Sequence, residues 1–292
     1  MQGLISYREC YQSGVKRLHA AGVPEPETDA RLLLEFVCGT NYNTLLAHGG
    51  TKVSREKEAA YEALIKRREK REPLQLLTGE QDFYGLTFRV NRHVLIPRQD
   101  TEILVEYALK RLKSGMELLD MCTGSGCILI SLLAMTEEVH GTGADISKEA
   151  LLAAEENGRR LLTEDKQPEW VLGDLFSVLR GRRFDMIVSN PPYIPSSEIV
   201  SLMPEVRDFE PVAALNGGGD GLLFYENIVR QSSAYLKQKG WLIFEIGCSQ
   251  GEAVSGLLKT AGFAEVEIIK DYAGLDRVVA GQWNGRELCL IS

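Results

Sequence analysis

The sequence predicts an α/β protein: a seven-stranded, doubly wound, Rossmann-like sheet with a small all-α N-terminal domain joined to it by a β-hairpin. After Gly115, strand-like apolar runs alternate with helical stretches, the signature of a parallel sheet covered on both faces. From Ile5 to about Arg71 the apolar residues recur at helical spacing, with almost no strand-like alternation. Between these regions, from Phe83 to Ile96, the period drops to two. The expected boundaries are a helical domain over 1–75, a linker with the hairpin over 76–97, and the sheet domain over 98–292.

In the helical part, Val15, Leu18 and Val23, then Leu32, Leu33, Phe36 and Val37, mark the apolar faces. Thr28 or Asp29 is placed to cap a helix that Gly39 ends, and Ser54 followed by Glu56 starts another that Pro73 closes. Three to five short helices follow. Lys66 to Arg71 carries five positive charges in six residues. The helix C-terminal dipole and solvation account for such a run, with RNA or an acidic partner as the alternative. In the hairpin, Leu86, Phe88 and Val90 share one face, Asn91-Arg92-His93 turns, and Val94-Leu95-Ile96 returns. Pro97 to Glu102 then opens a helix through Leu104, Val105 and Ala108, with Thr101 or Asp100 as its cap. The strand candidates are Glu117 to Met121, Val139 to Asp145, Glu169 to Leu172, Phe184 to Ser189, Trp241 to Ile246, Ala264 to Ile269 and Arg277 to Ala280. Gly217-Gly218-Gly219 reads only as a flexible loop.

A chain of 292 residues, 44% hydrophobic, is long enough to bury a full core. Its net charge of -8 argues against a protein that grips long nucleic acid through phosphates, which requires a strongly basic face. Cys10, Cys38, Cys122, Cys127, Cys248 and Cys289 form no C-x-x-C pair, so neither a zinc site nor a disulfide framework is indicated, and reduced thiols in a cytosol fit better. Tyr7, Arg8 and Glu9 interrupt what would be the apolar stretch of a signal peptide, and no segment approaches a membrane span. A soluble cytoplasmic protein is expected.

Leu118-Leu119-Asp120-Met121 runs into a tight turn, Cys122-Thr123-Gly124-Ser125-Gly126, and Ile128 to Leu133 forms the helix beyond. Such a turn lets a ligand approach the backbone closely. The next strand ends at Asp145, about twenty residues on, where an acidic side chain commonly accepts from ribose hydroxyls. Asp174 and Leu175 follow the third strand and fall near a base, the carboxylate for an exocyclic amino proton and the leucine for a ring face. A nucleoside-bearing cofactor is implied. The dinucleotide fingerprint needs a small residue where Leu129 stands, and no G-K-[ST] triplet follows the loop. S-adenosylmethionine needs no phosphate site and fits what remains.

Asn190-Pro191-Pro192-Tyr193 follows the strand Phe184 to Ser189 and so faces the same crevice beyond the carboxyl ends of the strands. Two prolines fix φ and remove two backbone donors, leaving the carbonyls of Asn190 and Pro191 free for a ligand. An Asn carbonyl, a backbone carbonyl and an aromatic face suit a planar NH2 group. An exocyclic amine of adenine or guanine presents the same donor pair, but the acidic charge and the lack of a nucleic-acid module speak against it. A non-catalytic cofactor sensor is disfavoured by the intact Asn190 and Tyr193.

Over nearly its whole length the chain resembles the bacterial release-factor glutamine methyltransferases. The resemblance rests on Pro73-Leu74-Gln75 with Gly79, Leu95-Ile96-Pro97-Arg98 with Thr101-Glu102, the glycine loop, Asp145, Asn190-Pro191-Pro192-Tyr193, and Arg277-Val278-Val279. It implies a class I S-adenosylmethionine-dependent methyltransferase fold and methyl transfer to the N5 side-chain amide of a glutamine, in the GGQ motif of peptide chain release factors, without a metal. It further implies that Thr123, Gly124, Ser125, Gly126, Asp145, Asp174, Leu175 and Asn190 contact the cofactor, while Asn190, Pro191, Pro192 and Tyr193 hold the glutamine. The N-terminal helices would recognise the protein substrate, and a monomer without membrane or stable nucleic-acid contacts is expected. A ribosomal-protein glutamine methyltransferase is the near alternative. The chain departs from the family at Cys122, where the loop usually starts with glycine, and at Leu175, where an aromatic is common. Cys122 has no identifiable base nearby and reads as a small buried thiol.

Overall fold

The computed structural model describes residues 4–285 and divides the chain into two compact units, Met1–Glu80 with Met203–Phe209, and Gln81–Leu202 with Glu210–Ser292. Cys289 and the outermost residues of both expected domains lie outside the described residues.

The first unit holds five helices, α1 (Tyr7–Ala20), α2 (Pro26–Cys38), α3 (Tyr42–Ala47), α4 (Arg55–Arg68) and α5 (Leu74–Thr78), with a short helix over Pro204–Arg207. A capping box starts α1: Ser6 Oγ accepts from Glu9 N, and the Glu9 carboxylate accepts from Ser6 N at 2.6 Å. The helix α2 begins earlier than expected because Pro26 is preorganised for the first turn, which leaves Thr28 and Asp29 inside it rather than capping it. Gly39 ends α2 at φ 62, as expected. Ser54 caps α4, but that helix stops at Arg68, Arg71 turns left-handed at φ 67, and Pro73 precedes α5 instead of closing α4. The core gathers Leu18, Leu33, Leu34, Tyr61 and Ile65. Gly14 lets α1 lie close to α4, since a Cβ there would meet Tyr61 Oη at 2.1 Å.

The basic run at the end of α4 is used internally. Arg68, only 5% exposed, donates to Asp29 at 2.6 Å and to Glu205 at 3.0 Å. Arg71 grips the same Glu205 carboxylate through two bonds of 2.5 and 2.7 Å, and Arg67 pairs with Glu72. Ion pairs therefore supplement the dipole and solvation at this helix end.

In the second unit the hairpin lies one strand earlier than the sequence predicts: β1 (Glu80–Phe83) pairs with β2 (Leu86–Arg89). Its turn is Tyr84-Gly85, both at positive φ (49 and 75), the pattern of a type I′ turn. Val94 to Ile96 forms no strand. There Asn91 makes a local turn, accepting from His93 N at 2.9 Å, and Pro97 cannot donate to a ladder. Tyr84 N donates to Glu102 Oε1 at 2.8 Å and so ties the hairpin turn to α6 (Glu102–Leu109).

Beyond α6 the chain runs β3 (Glu117–Met121), α7 (Cys127–Ala134), β4 (His140–Asp145), α8 (Lys148–Leu161), β5 (Glu169–Leu172), β6 (Phe184–Ser189), the Pro204–Arg207 helix of the first unit as α9, α10 (Leu223–Ser232), β7 (Leu236–Glu245), α11 (Gly251–Thr260), β8 (Phe263–Lys270) and β9 (Asp276–Trp283). All seven expected strands form one sheet in the order β5-β4-β3-β6-β7-β9-β8. It is mixed rather than wholly parallel: β9 runs antiparallel to both β7 and β8. The cause is the short link from β8 to β9, a turn in which Asp271 Oδ1 accepts from Ala273 N and Leu275 N, whereas a parallel return needs a long crossover. Ile103, Leu104, Leu129 and Leu133 belong to one core of this unit, and Tyr225, Ile228, Val254 and Leu258 to a second. No helix among the described residues is long and apolar enough to cross a membrane.

Strand order positions the site. The chain leaves β3 toward β4 and β5, then returns to β6 on the other side of β3. The carboxyl ends of β3 and β6 therefore flank the point where the winding reverses, which is where open sheets bind ligands.

Candidate active site

At that point the second unit holds a cavity of about 940 Å³. Of the residues singled out in the sequence, Thr123, Gly124, Ser125, Asp145, Asp174, Leu175, Asn190 and Pro192 line it, whereas Gly126, Pro191 and Tyr193 do not. Ser189 Oγ donates to Met121 O at 2.6 Å, joining the ends of β6 and β3 directly beneath the two loops.

The two glycines of the loop after β3 do different work. A Cβ on Gly124, at φ 57, would meet nothing within 4 Å, so this backbone opens onto space that a ligand would fill. A Cβ on Gly126 would lie 2.9 Å from Ile130 and 3.0 Å from Trp170, so that glycine serves close packing at the start of α7. Asp145 braces the loop: Oδ2 accepts from Gly124 N at 2.9 Å and Oδ1 from Ser147 N at 2.8 Å. Burial raises its carboxyl, and these backbone donors oppose the rise by favouring the anion. Each oxygen keeps a lone pair for further donors.

Cys122 at φ 62 and Leu175 at φ 47 are both left-handed. Side chains with a Cβ adopt this region at a cost of roughly 1–2 kcal/mol per residue. Burial pushes the Cys122 thiol well up, yet the residue is only half-buried and lines the cavity, so it is not the enclosed thiol the sequence suggests.

The segment Asn190-Pro191-Pro192-Tyr193 follows β6 as a loop. Among the described residues, no loop backbone N–H donates to the Asn190 or Pro191 carbonyl, whereas the residues after them are bonded: Ile194 N donates to Leu215 O, and Gly217 N to Ile194 O, each at 2.9 Å. Gly217 is thus no mere flexible tract. A Cβ on it would lie 2.7 Å from Tyr193 Cα, so the strand-like pairing of Ile194 with Asn216 needs a glycine beside it. Tyr193 is held through its carbonyl, which accepts from Gln250 Nε2 at 3.0 Å.

Two buried acids stand behind the loops. Asp120 is fully buried, accepts from Thr123 Oγ1 at 2.6 Å and leaves Oδ1 without a partner; burial pushes it up to about 7. Glu245, 1% exposed at the end of β7, is pushed up to about 7 by burial, opposed by hydrogen bonds from Thr101 and Asn190 and by the Arg277 charge. Thr101 stands at the start of α6 but does not cap it through its side chain, which instead lies 3.5 Å from Asn190 Nδ2.

Several of these residues were not singled out from the sequence for the site. Pro97, Arg98 and Thr101 line the cavity, and Arg98 pairs at 2.5 Å with the buried Glu210. The motif Pro97-Arg98 was the available signal. Asn157, fully buried on α8, donates to Ser125 O and to Arg89 O at 3.0 Å each, bracing the glycine loop against the hairpin. No local pattern marks it. Among the described residues no group of three or more His, Cys, Asp or Glu side chains is placed to hold a metal ion.

The mixed seven-stranded sheet, with its crevice at the reversal point, defines a class I methyltransferase fold. A solved methyltransferase from Pyrococcus furiosus shares it at a TM-score of 0.51 and 16% identity, over 68% of this chain and 89% of that one. Residues 9–79 match the family described as PrmC N-terminal domain, and residues 99–205 that described as methyltransferase small domain. The release factor glutamine methyltransferase of Geobacter sulfurreducens is 41% identical over 261 residues, 89% of this chain and 91% of that protein. Its namesake in Cereibacter sphaeroides is 40% identical over 274 residues, 94% and 97%. The chain belongs to the release factor glutamine methyltransferase family.

Proposed function

We propose that this protein transfers a methyl group from S-adenosylmethionine to the side-chain amide nitrogen of a glutamine in a peptide chain release factor. One observation carries the site assignment: the carbonyls of Asn190 and Pro191, to which no loop backbone N–H donates among the described residues, follow a strand end beside a cavity whose wall bears Asn190, Gly124, Asp145, Asp174 and Leu175.

The cofactor, when bound, supplies a methyl group activated on a sulfonium. The open backbone at Gly124 would admit its close approach, Asp145 would offer its remaining lone pairs to ribose hydroxyls, and Asp174 with Leu175 would border the base. An amide nitrogen is a weak nucleophile because its lone pair is delocalised into the carbonyl. Asn190 Oδ1 and Pro191 O would take its two N–H bonds, orient the nitrogen and stabilise positive charge as it develops, and once the N–CH3 bond has formed in place of the sulfonium's S–CH3 bond the nitrogen loses one proton to water. Tyr193 keeps this clamp in place through the carbonyl that Gln250 holds.

The helical unit is assigned to recognition of the protein substrate, because one glutamine side chain offers too little surface for specificity. The reaction so proposed is cytoplasmic. Purified release factors, ribosomal proteins, tRNA and DNA, each supplied with labelled S-adenosylmethionine, test it. Mass spectrometry is expected to find the label on a release factor glutamine. Label on a nucleic acid base, or on another residue type, would overturn the reading.

A further inference from the structure

Glu245 lies one position beyond the Phe244–Ser189 pair of β7 and β6, which sets it beside Asn190. It is buried, its backbone carbonyl is held by Tyr225 Oη at 2.9 Å, and its Oε2 has no partner. The side chains of Thr101 and Asn190 border its carboxyl group and favour its charged form, and Asn190 Nδ2 reaches Thr101 Oγ1 at 3.5 Å.

An asparagine amide has an accepting end and a donating end, and the proposed reaction needs the accepting end in the cavity. Nothing within Asn190 decides this. An ionised carboxylate only accepts, so beside it the NH2 end turns inward and Oδ1 is left to the substrate. We propose that Glu245, acting with Thr101, is the positioning residue that fixes the orientation of the Asn190 amide, and that methyl transfer requires its negative charge. The inference rests on the role of Asn190 proposed above.

A protonated Glu245 donates a hydrogen bond and permits the reversed amide, so the orientation depends on its ionisation. Burial holds this carboxyl near 7, with Thr101, Arg277 and Asn190 favouring the anion and Asp100 opposing it. Arg277, on β9, is itself paired with Asp100 at 3.0 Å and Asp271 at 3.1 Å. Tyr193, Tyr225 and Cys127 are the further titratable groups that face Glu245.

The test is nuclear magnetic resonance of the Asn190 side-chain NH2 group in the full chain, assigned by its loss in Asn190→Asp. The signal is expected to shift with pH with a midpoint near 7, and to lose that titration in Glu245→Gln. In parallel, methyl transfer to a release factor is expected to show a kcat that falls below the same midpoint. Glu245→Gln should abolish that limb and reduce kcat on the order of 10- to 100-fold, with KM and cofactor Kd unchanged within about two-fold. Thr101→Val, which leaves β7 intact, should lower kcat less and weaken the titration. It decides the matter together with the wild-type titration if Glu245→Gln does not fold. A titration absent from the wild type or retained in Glu245→Gln, or a joint loss of kcat, KM and Kd, would overturn the proposal. A wild type that titrates but does not methylate a release factor would overturn the functional reading instead and leave the Glu245 contact standing.

Discussion

A Cβ built on Gly221 would lie 2.3 Å from the carbonyl oxygen of Tyr193, the same oxygen that Gln250 Nε2 holds at 3.0 Å. Gln250 Oε1 in turn accepts from Gly247 N at 3.0 Å, so the Gln250 side chain ties the loop carrying Asn190 to the residues just beyond β7, and Gly221 packs against the same carbonyl. Gly221→Ala is expected to displace that loop and to lower kcat on the order of 100-fold, while stability drops by about 1–3 kcal/mol. Steady-state kinetics and urea unfolding on the same sample check this. Wild-type kcat would show that the close approach has no bearing on the site.

Asp145→Ala removes the acceptor of two loop N–H groups and the acid assigned to the ribose. Cofactor binding should weaken by on the order of 1–3 kcal/mol, the scale for losing charge-assisted hydrogen bonds. Calorimetry with S-adenosylhomocysteine measures it, and an unchanged dissociation constant would speak against the assignment.

Arg68→Ala leaves Asp29 buried without its cation, although Glu205 keeps Arg71. Breaking a buried pair in this way is expected to destabilise by about 3–5 kcal/mol. Arg71→Ala, with Arg68 still on Glu205 and a partly exposed side chain, should cost less. The order of the two variants in urea unfolding is the test, and a reversed order would contradict the internal use of this basic run.

Asp120 gives a pH dependence with a definite sign. Its folded carboxyl is raised to about 7 from 3.8, so the folded state keeps a proton that the unfolded chain releases. Stability contributed at low pH is therefore lost as pH rises from about 4 to about 7. Asp120→Asn keeps an acceptor for the Thr123 hydroxyl and removes this dependence. Relative to wild type it should gain on the order of 2–4 kcal/mol across that window, read from urea unfolding at pH 5 and pH 8. A constant difference between the two proteins would contradict the raised carboxyl.

How much was legible follows from the range over which each feature is determined. The glycine loop and Asn190-Pro191-Pro192-Tyr193 were legible because glycine and proline act on their own backbone. The hairpin was misplaced because its turn uses Tyr84 at positive φ, a residue that does not announce a turn. The direction of β9 depends on Asp271 closing a short turn, which apolar periodicity does not register. Gly217, Gly221, Asn157 and Glu245 owe their roles to partners far along the chain, so no local pattern marks them. The basic run at Lys66 to Arg71 read as a solvated helix end because the acid that binds it, Glu205, lies far along the chain.

The central claim is that Asn190 pins the nitrogen that receives the methyl group. The most direct measurement is the single-turnover rate of Asn190→Ala, saturated with S-adenosylmethionine and mixed with a release factor. A loss of on the order of 100- to 1000-fold is predicted, with cofactor affinity kept within a few-fold. A rate within a few-fold of wild type would contradict it.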